Sequence, residues 1–182
     1  LNGDPKTFAN TQKIDALPFN EAIELAFYGA SIIHPKTIQP LKKKGIPLHI
    51  KSFVDPTLPG TTIGGVDRPE PEVANFILKK NQILLQLSTK DLAFIAEHHL
   101  SAVYRLFAEQ GVVVNLMRNT ATRAMFCINN DAIIVPKMLA ELTGQFDLEL
   151  TSSVELLTIR HTNEEDETRE TEGLDILLEQ RT

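Results

Sequence analysis

Few side chains in this sequence combine a reactive or ligating type with a setting that would use it. Asn115 interrupts an apolar run, with Val112, Val113 and Val114 before it and Leu116 and Met117 after it. Asparagine is depleted in strands, so a carboxamide at that place points to a polar partner such as an ammonium group. Asn119 and the Thr120 hydroxyl offer the same kind of acceptor, although an Asn-Thr pair between two extended runs is also an ordinary turn. A helix start is expected near His99, Leu100 and Ser101, where unpaired backbone N–H groups would attract a carboxylate; Ser101 could equally be a cap. His34 stands before Pro35 at another expected helix start, either as a base or as the group that caps the turn. His98 and His99 are adjacent rather than one helical turn apart, and Cys127 is the single cysteine, so neither a metal-ligand set nor an internal disulfide is expected. Met117, Met125 and Cys127 alternate along their runs and read as packing residues.

The elements that would position these groups follow from periodicity. Phe19, Ala22, Ile23, Ala26 and Phe27 keep helical spacing, so residues 19–28 read as an amphipathic helix ended by Gly29. A shorter helix begins at Pro35, fills its last turn with Lys42, Lys43 and Lys44, and ends at Gly45. Ile46, Leu48 and Ile50 alternate as a strand. Residues 55–71 then hold Pro56, Pro59, Pro69 and Pro71 with Gly60, Gly64 and Gly65, which marks a boundary. Beyond it come a strand on Ile83, Leu85 and Leu87 and a helix on Leu100, Val103, Tyr104 and Phe107. Strands follow on Val112, Val114 and Leu116 and on Ala124, Phe126 and Ile128. A helix on Val135, Met138, Leu139 and Leu142 and a strand on Phe146, Leu148 and Leu150 complete the set. The order β-α-β-β-α-β predicts a ferredoxin-like unit with two helices on one sheet face. A second such unit is expected to begin with a strand at 154–160, pass through the acidic stretch 163–172 as an exposed helix or loop, and reach a further strand at 176–179. The expected organisation is therefore α+β, with segments 1–65, 66–81 (linker and leading strand), 82–151 and 152–182.

Bulk properties narrow the partners. The formal charge of −6 on 182 residues argues against nucleic acid, which requires a basic face. No apolar run reaches the length of a membrane span, and no signal-peptide pattern is read at the start. A cytoplasmic setting is the natural expectation. The opening Leu1-Asn2-Gly3-Asp4-Pro5 enters directly on a turn without a methionine, as a segment of a longer protein would.

Several stretches resemble one family. Phe19-Asn20-Glu21-Ala22, Glu24-Leu25-Ala26-Phe27-Tyr28-Gly29-Ala30 and Ile33-His34-Pro35-Lys36-Thr37-Ile38 resemble the helix pair of aspartate kinases. Ile46-Pro47-Leu48-His49-Ile50-Lys51-Ser52-Phe53, Asp55-Pro56 and Pro59-Gly60-Thr61 resemble that family's closing strand and exit loop. Asn2-Gly3-Asp4-Pro5-Lys6 resembles its turn near ATP, and Lys80-Asn81-Gln82 carries the likeness into the β-α-β-β-α-β unit, which is similar to the ACT type of amino-acid sensor. The resemblance implies an allosteric C-terminal region: the tail of an amino-acid-kinase α/β domain followed by a first ACT domain at 82–151 and part of a second. The whole enzyme would phosphorylate aspartate with ATP and Mg²⁺ in lysine, threonine and methionine biosynthesis. The Lys-Phe-Gly-Gly phosphate cradle of the family does not occur in this sequence, so the segment alone is expected to be inactive, with no catalytic residue and no cofactor of its own.

The same match implies Asp4, Lys6 and Ser31 on the nucleotide side, with Ser31 standing where many relatives carry a lysine. It implies His99, Leu100, Ser101, Val114, Asn115, Asn119 and Thr120 around an effector, lysine or threonine. His98 stands where relatives often have glycine. A homodimer through the sensor units is implied. The alternative is a non-catalytic sensor or dimerisation module that keeps the kinase remnant as scaffold.

Overall fold

The computed structural model describes residues 1–30, 33–91, 93–162 and 164–181. It divides into two compact units: residues 79–156 form one, and residues 1–78 with those from 157 onward form the other.

In the unit that holds the N-terminal residues, helix α1 (Phe19–Tyr28) buries Ala22 and Leu25 together with Glu21, and ends on Gly29, whose N–H returns to the Leu25 and Ala26 carbonyls. Helix α2 (Pro35–Lys44) starts on His34, whose ring Nδ1 accepts from the Lys36 N–H at 3.2 Å. His34 is thus a capping group, one of the two roles its position suggested. Three short strands make the first sheet, in the order β1 (Ala16–Leu17), β3 (Thr61–Ile63), β2 (Leu48–Ile50), with β1 parallel and β2 antiparallel to β3. Its core gathers Ile14, Leu17, Ala22, Leu25, Ile38 and Ile63. Gly60 explains the Pro-Gly-Thr step before β3: a Cβ there would lie 1.9 Å from the Ile50 carbonyl oxygen, so the loop closes only on glycine. The unit's C-terminal part holds helix α5 (Glu164–Thr171).

The second unit carries β4 (Asn75–Thr89), α3 (Glu97–Gln110), β5 (Val114–Asn119), β6 (Arg123–Asn129), α4 (Ile134–Leu142) and β7 (Phe146–Arg160), the two long strands continuing past its limits. The sheet order is β5-β6-β4-β7, with β6 antiparallel to both β5 and β4. Alternation places Ile83, Leu85 and Leu87 of β4 and Ala124, Phe126 and Ile128 of β6 on the buried face, where they meet Val103, Phe107, Val135, Met138 and Leu142. Phe107 and Phe126 pack edge to face, their centroids 5.2 Å apart.

Two expectations about the C-terminal region need correction. The strands expected at 146–150 and 154–160 are one strand, β7, because Thr151-Ser152-Ser153 stays extended despite a left-handed Ser153 (φ 59°). Residues 176–179 form no strand: Leu174, Ile176 and Leu177 are exposed, and no neighbouring strand accepts their backbone among the described residues.

Candidate effector site and nucleotide-side turn

At the turn expected beside a nucleotide, Asp4 is occupied by its own hydrogen bonds. Its Oδ1 accepts from the Lys6 N–H at 2.9 Å, and its carbonyl accepts from Thr7 and Phe8. The Lys6 side chain is exposed, and Ser31 lies outside the described residues. The residue that fixes this turn is Asn2, which the periodicity did not single out. Asn2 is buried, its Nδ2 donates to the Ala74 carbonyl at 2.7 Å, and its Oδ1 accepts from the Gln12 N–H at 2.7 Å. A buried carboxamide with its capacity filled in this way is a structural clasp.

The effector candidates divide between the two ends of the second sheet. At one end, the Thr120 N–H donates to the Arg123 carbonyl at 2.8 Å and the Arg123 N–H donates to Thr120 Oγ1 at 3.2 Å, which closes the β5–β6 hairpin. The Ile95 N–H donates to Ala121 at 2.8 Å, so this hairpin tip lies against the segment that leads into α3. Asn119 and Thr120 are both exposed there. The helix opens at Glu97, two residues before the expected start. The His99 and Leu100 N–H groups both donate to Ala96, at 3.0 and 3.3 Å, and His99 Nδ1 accepts from the Ala96 N–H at 3.1 Å. The first-turn amides therefore belong to Glu97 and His98. Ser101, the fifth residue of α3, lies past the capping position and is exposed. The His98 and His99 rings lie 3.9 Å apart beside this start.

Asn115 is at the other end. The register slips between Val114 and Leu116, which leaves Asn115 as the extra residue of a bulge. Four residues of extended chain, about 13 Å, separate it from Asn119. Its carboxamide is fully used: Oδ1 accepts from Lys79 Nζ at 2.8 Å, and Nδ2 donates to Gln82 Oε1 and Asn129 Oδ1, each at 2.7 Å. Cys127 Sγ lies 3.9 Å from the same Gln82 oxygen. Burial lowers the Lys79 ammonium pKa, with the nearby Cys127 acting in the opposite sense, and burial raises that of the Cys127 thiol. Val114 is half-buried and packs against the core.

Two clefts stand apart from these residues. One of about 550 Å³, in the first unit, is lined by Pro18, Asn20, Glu21, Asp67, Arg68, Pro69, Glu72 and His161. The other, of about 370 Å³, lies between α3 and α4. Among the described residues no group of His, Cys, Asp and Glu is arranged to hold a metal ion, and no helix is long and apolar enough to cross a membrane.

The amino acid kinase family model matches residues 1–52. The chain is 26% identical over 163 residues to aspartokinase 3, chloroplastic, of Arabidopsis thaliana, an alignment covering 88% of this chain and 29% of that protein. It is 24% identical to lysine-sensitive aspartokinase 3 of Escherichia coli, over 86% of this chain and 36% of the relative. The chain is related to the aspartokinases. It spans about a third of the length of these aspartokinase relatives. Its mixed α/β fold superposes on E. coli aspartokinase III, solved in complex with lysine and aspartate, with a TM-score of 0.74 at 25% identity, over 87% of this chain and 36% of that one. The aspartokinase likeness thus runs through both units and beyond the 52 residues that match the family model.

Proposed function

We propose that this chain is the regulatory C-terminal region of an aspartokinase, with residues 79–156 forming an ACT-type, ferredoxin-like amino-acid sensor. The observation that carries the reading is the aspartokinase similarity over 163 residues, which covers 88% of this chain. The sheet order β5-β6-β4-β7 supports the ferredoxin-like assignment, because it is the order 2-3-1-4 of a split β-α-β fold.

The effector is a free amino acid, lysine or threonine. Its α-carboxylate is received by the opening amides of α3, at Glu97 and His98, where the helix dipole favours an anion. Its α-ammonium is received by the exposed acceptors of Asn119 and Thr120 on the neighbouring hairpin. Within one copy, Asn115 would reach an effector only by giving up one of its present hydrogen bonds. Open strand edges and a half-built site favour a homodimer. A cytoplasmic setting fits the lone buried thiol of Cys127.

The residues present do not fit a complete nucleotide site. Asp4 is engaged in its turn, Lys6 is a single cation, and the sequence holds no glycine-rich phosphate cradle. ATP and Mg²⁺ therefore belong to the whole enzyme, and the 182-residue chain alone transfers no phosphoryl group. Calorimetric titration of the chain with lysine, threonine and methionine at millimolar concentration tests the sensor: saturable heat with one of them supports it, and none with all three overturns it. The satisfied carboxamide of Asn115 favours a second reading, a dimerisation module without a ligand. Dimers by light scattering together with flat titrations would select that one.

A further inference from the structure

The cleft in the first unit is lined by one buried carboxylate to which neither the kinase likeness nor the sensor reading gives a role. Glu21, 8% exposed, lies in the first turn of α1. Arg160 Nε and Nη2 each donate to one of its oxygens at 3.0 Å, and His161 Nε2 lies 3.0 Å from Oε1. The same face of α1 also supplies Glu24, 3.6 Å from the Arg160 guanidinium, and Tyr28, whose ring centroid is 5.6 Å from it. Asp67, Arg68 and Glu72 complete the charged lining of the cleft.

The two cations differ in kind. Arg160 is charged at every accessible pH, whereas the His161 imidazole pairs as an ion only when protonated. The His161 side chain keeps 42% of its surface in solvent, so protons reach it without unfolding. Burial alone would push the Glu21 carboxyl pKa up, but hydrogen bonds and charge from Arg160 and His161 hold it below the usual value, so the acceptor stays ionised across neutral pH.

We propose that Glu21, Arg160 and His161 form a proton-sensitive clasp that fastens the end of β7 to α1 permanently through Arg160 and more tightly when His161 is protonated. Since β7 is continuous from Phe146 to Arg160, the clasp sets how firmly that strand's last residues are anchored to the kinase-like helix.

Amide exchange of the 182-residue chain, corrected for intrinsic chemistry and compared at pH 6 and pH 8, tests this for segments 19–28 and 157–162. The wild type should be about five-fold better protected at pH 6, the scale of a partly exposed ion pair. His161→Gln, which keeps a donor but cannot titrate, should show equal protection at the two pH values. Glu21→Gln should lose the pH dependence as well. A wild type without pH dependence, or a His161→Gln chain with the full wild-type dependence, overturns the clasp; neither result depends on effector binding.

Discussion

Arg160 grips Glu21 in a two-pronged pair, Nε and Nη2 each 3.0 Å from a carboxylate oxygen, across 139 residues of sequence. The pair is mostly out of water, with side-chain exposures of 23% for Arg160 and 9% for Glu21. Removing Arg160 deprives the mostly buried Glu21 carboxylate of its two-pronged partner and leaves only His161 beside it, so Arg160→Ala should cost about 3 kcal/mol. Urea unfolding followed by circular dichroism measures it.

The same pair predicts an acid dependence. The Glu21 carboxyl is depressed in the folded chain, so its stabilisation is fully present above the ordinary carboxylate pKa and is lost as pH falls through the lower folded value. The stability gap between wild type and Glu21→Gln should therefore be widest at pH 6–7 and shrink towards pH 3. A gap that stays constant over that range would show that the ion pair contributes nothing.

Gly60 gives a steric prediction. An added Cβ would meet the Ile50 carbonyl oxygen at 1.9 Å, and that atom is backbone in β2 that cannot swing away. Gly60→Ala should destabilise the first unit by about 3 kcal/mol or more, as strain forced on a packed turn does. Gly45→Ala is the control: φ is +65°, but a Cβ there would have nothing within 4 Å, so its cost should be only about 1 kcal/mol.

Much of the fold was legible because it rests on local rules. Alternation marked Ile83, Leu85 and Leu87 and Ala124, Phe126 and Ile128, which the structure buries together. Gly29, Gly45 and Gly111 ended their helices where glycine is expected, each with positive φ. Contacts set by long-range pairing were hidden. Nothing local signals that Glu21 on an amphipathic helix meets Arg160, that Asn2 is held by Ala74 and Gln12, or that the bulge turns Asn115 towards Lys79, Gln82 and Asn129. Helix α3 starts two residues before the expected place because His99, rather than Ser101, serves the opening turn by accepting from the Ala96 N–H.

That division of the candidate residues between two ends of one sheet can be tested with a pair of substitutions. Asn115→Ala removes an acceptor from Lys79 and a donor from both Gln82 and Asn129, leaving a buried Gln82 oxygen short of a partner. It should cost about 2 kcal/mol of stability and leave the affinity for an amino-acid effector nearly unchanged. Thr120→Val keeps the side chain's size at an exposed hairpin position but deletes the hydroxyl. It should cost well under 1 kcal/mol of stability and weaken effector binding about ten-fold, the value of a hydrogen bond to a charged group. Chemical denaturation and calorimetric titration on both variants give the two axes. If Asn115→Ala abolishes binding in a chain that remains folded while Thr120→Val binds normally, the effector lies at the bulge rather than at the hairpin and the start of α3.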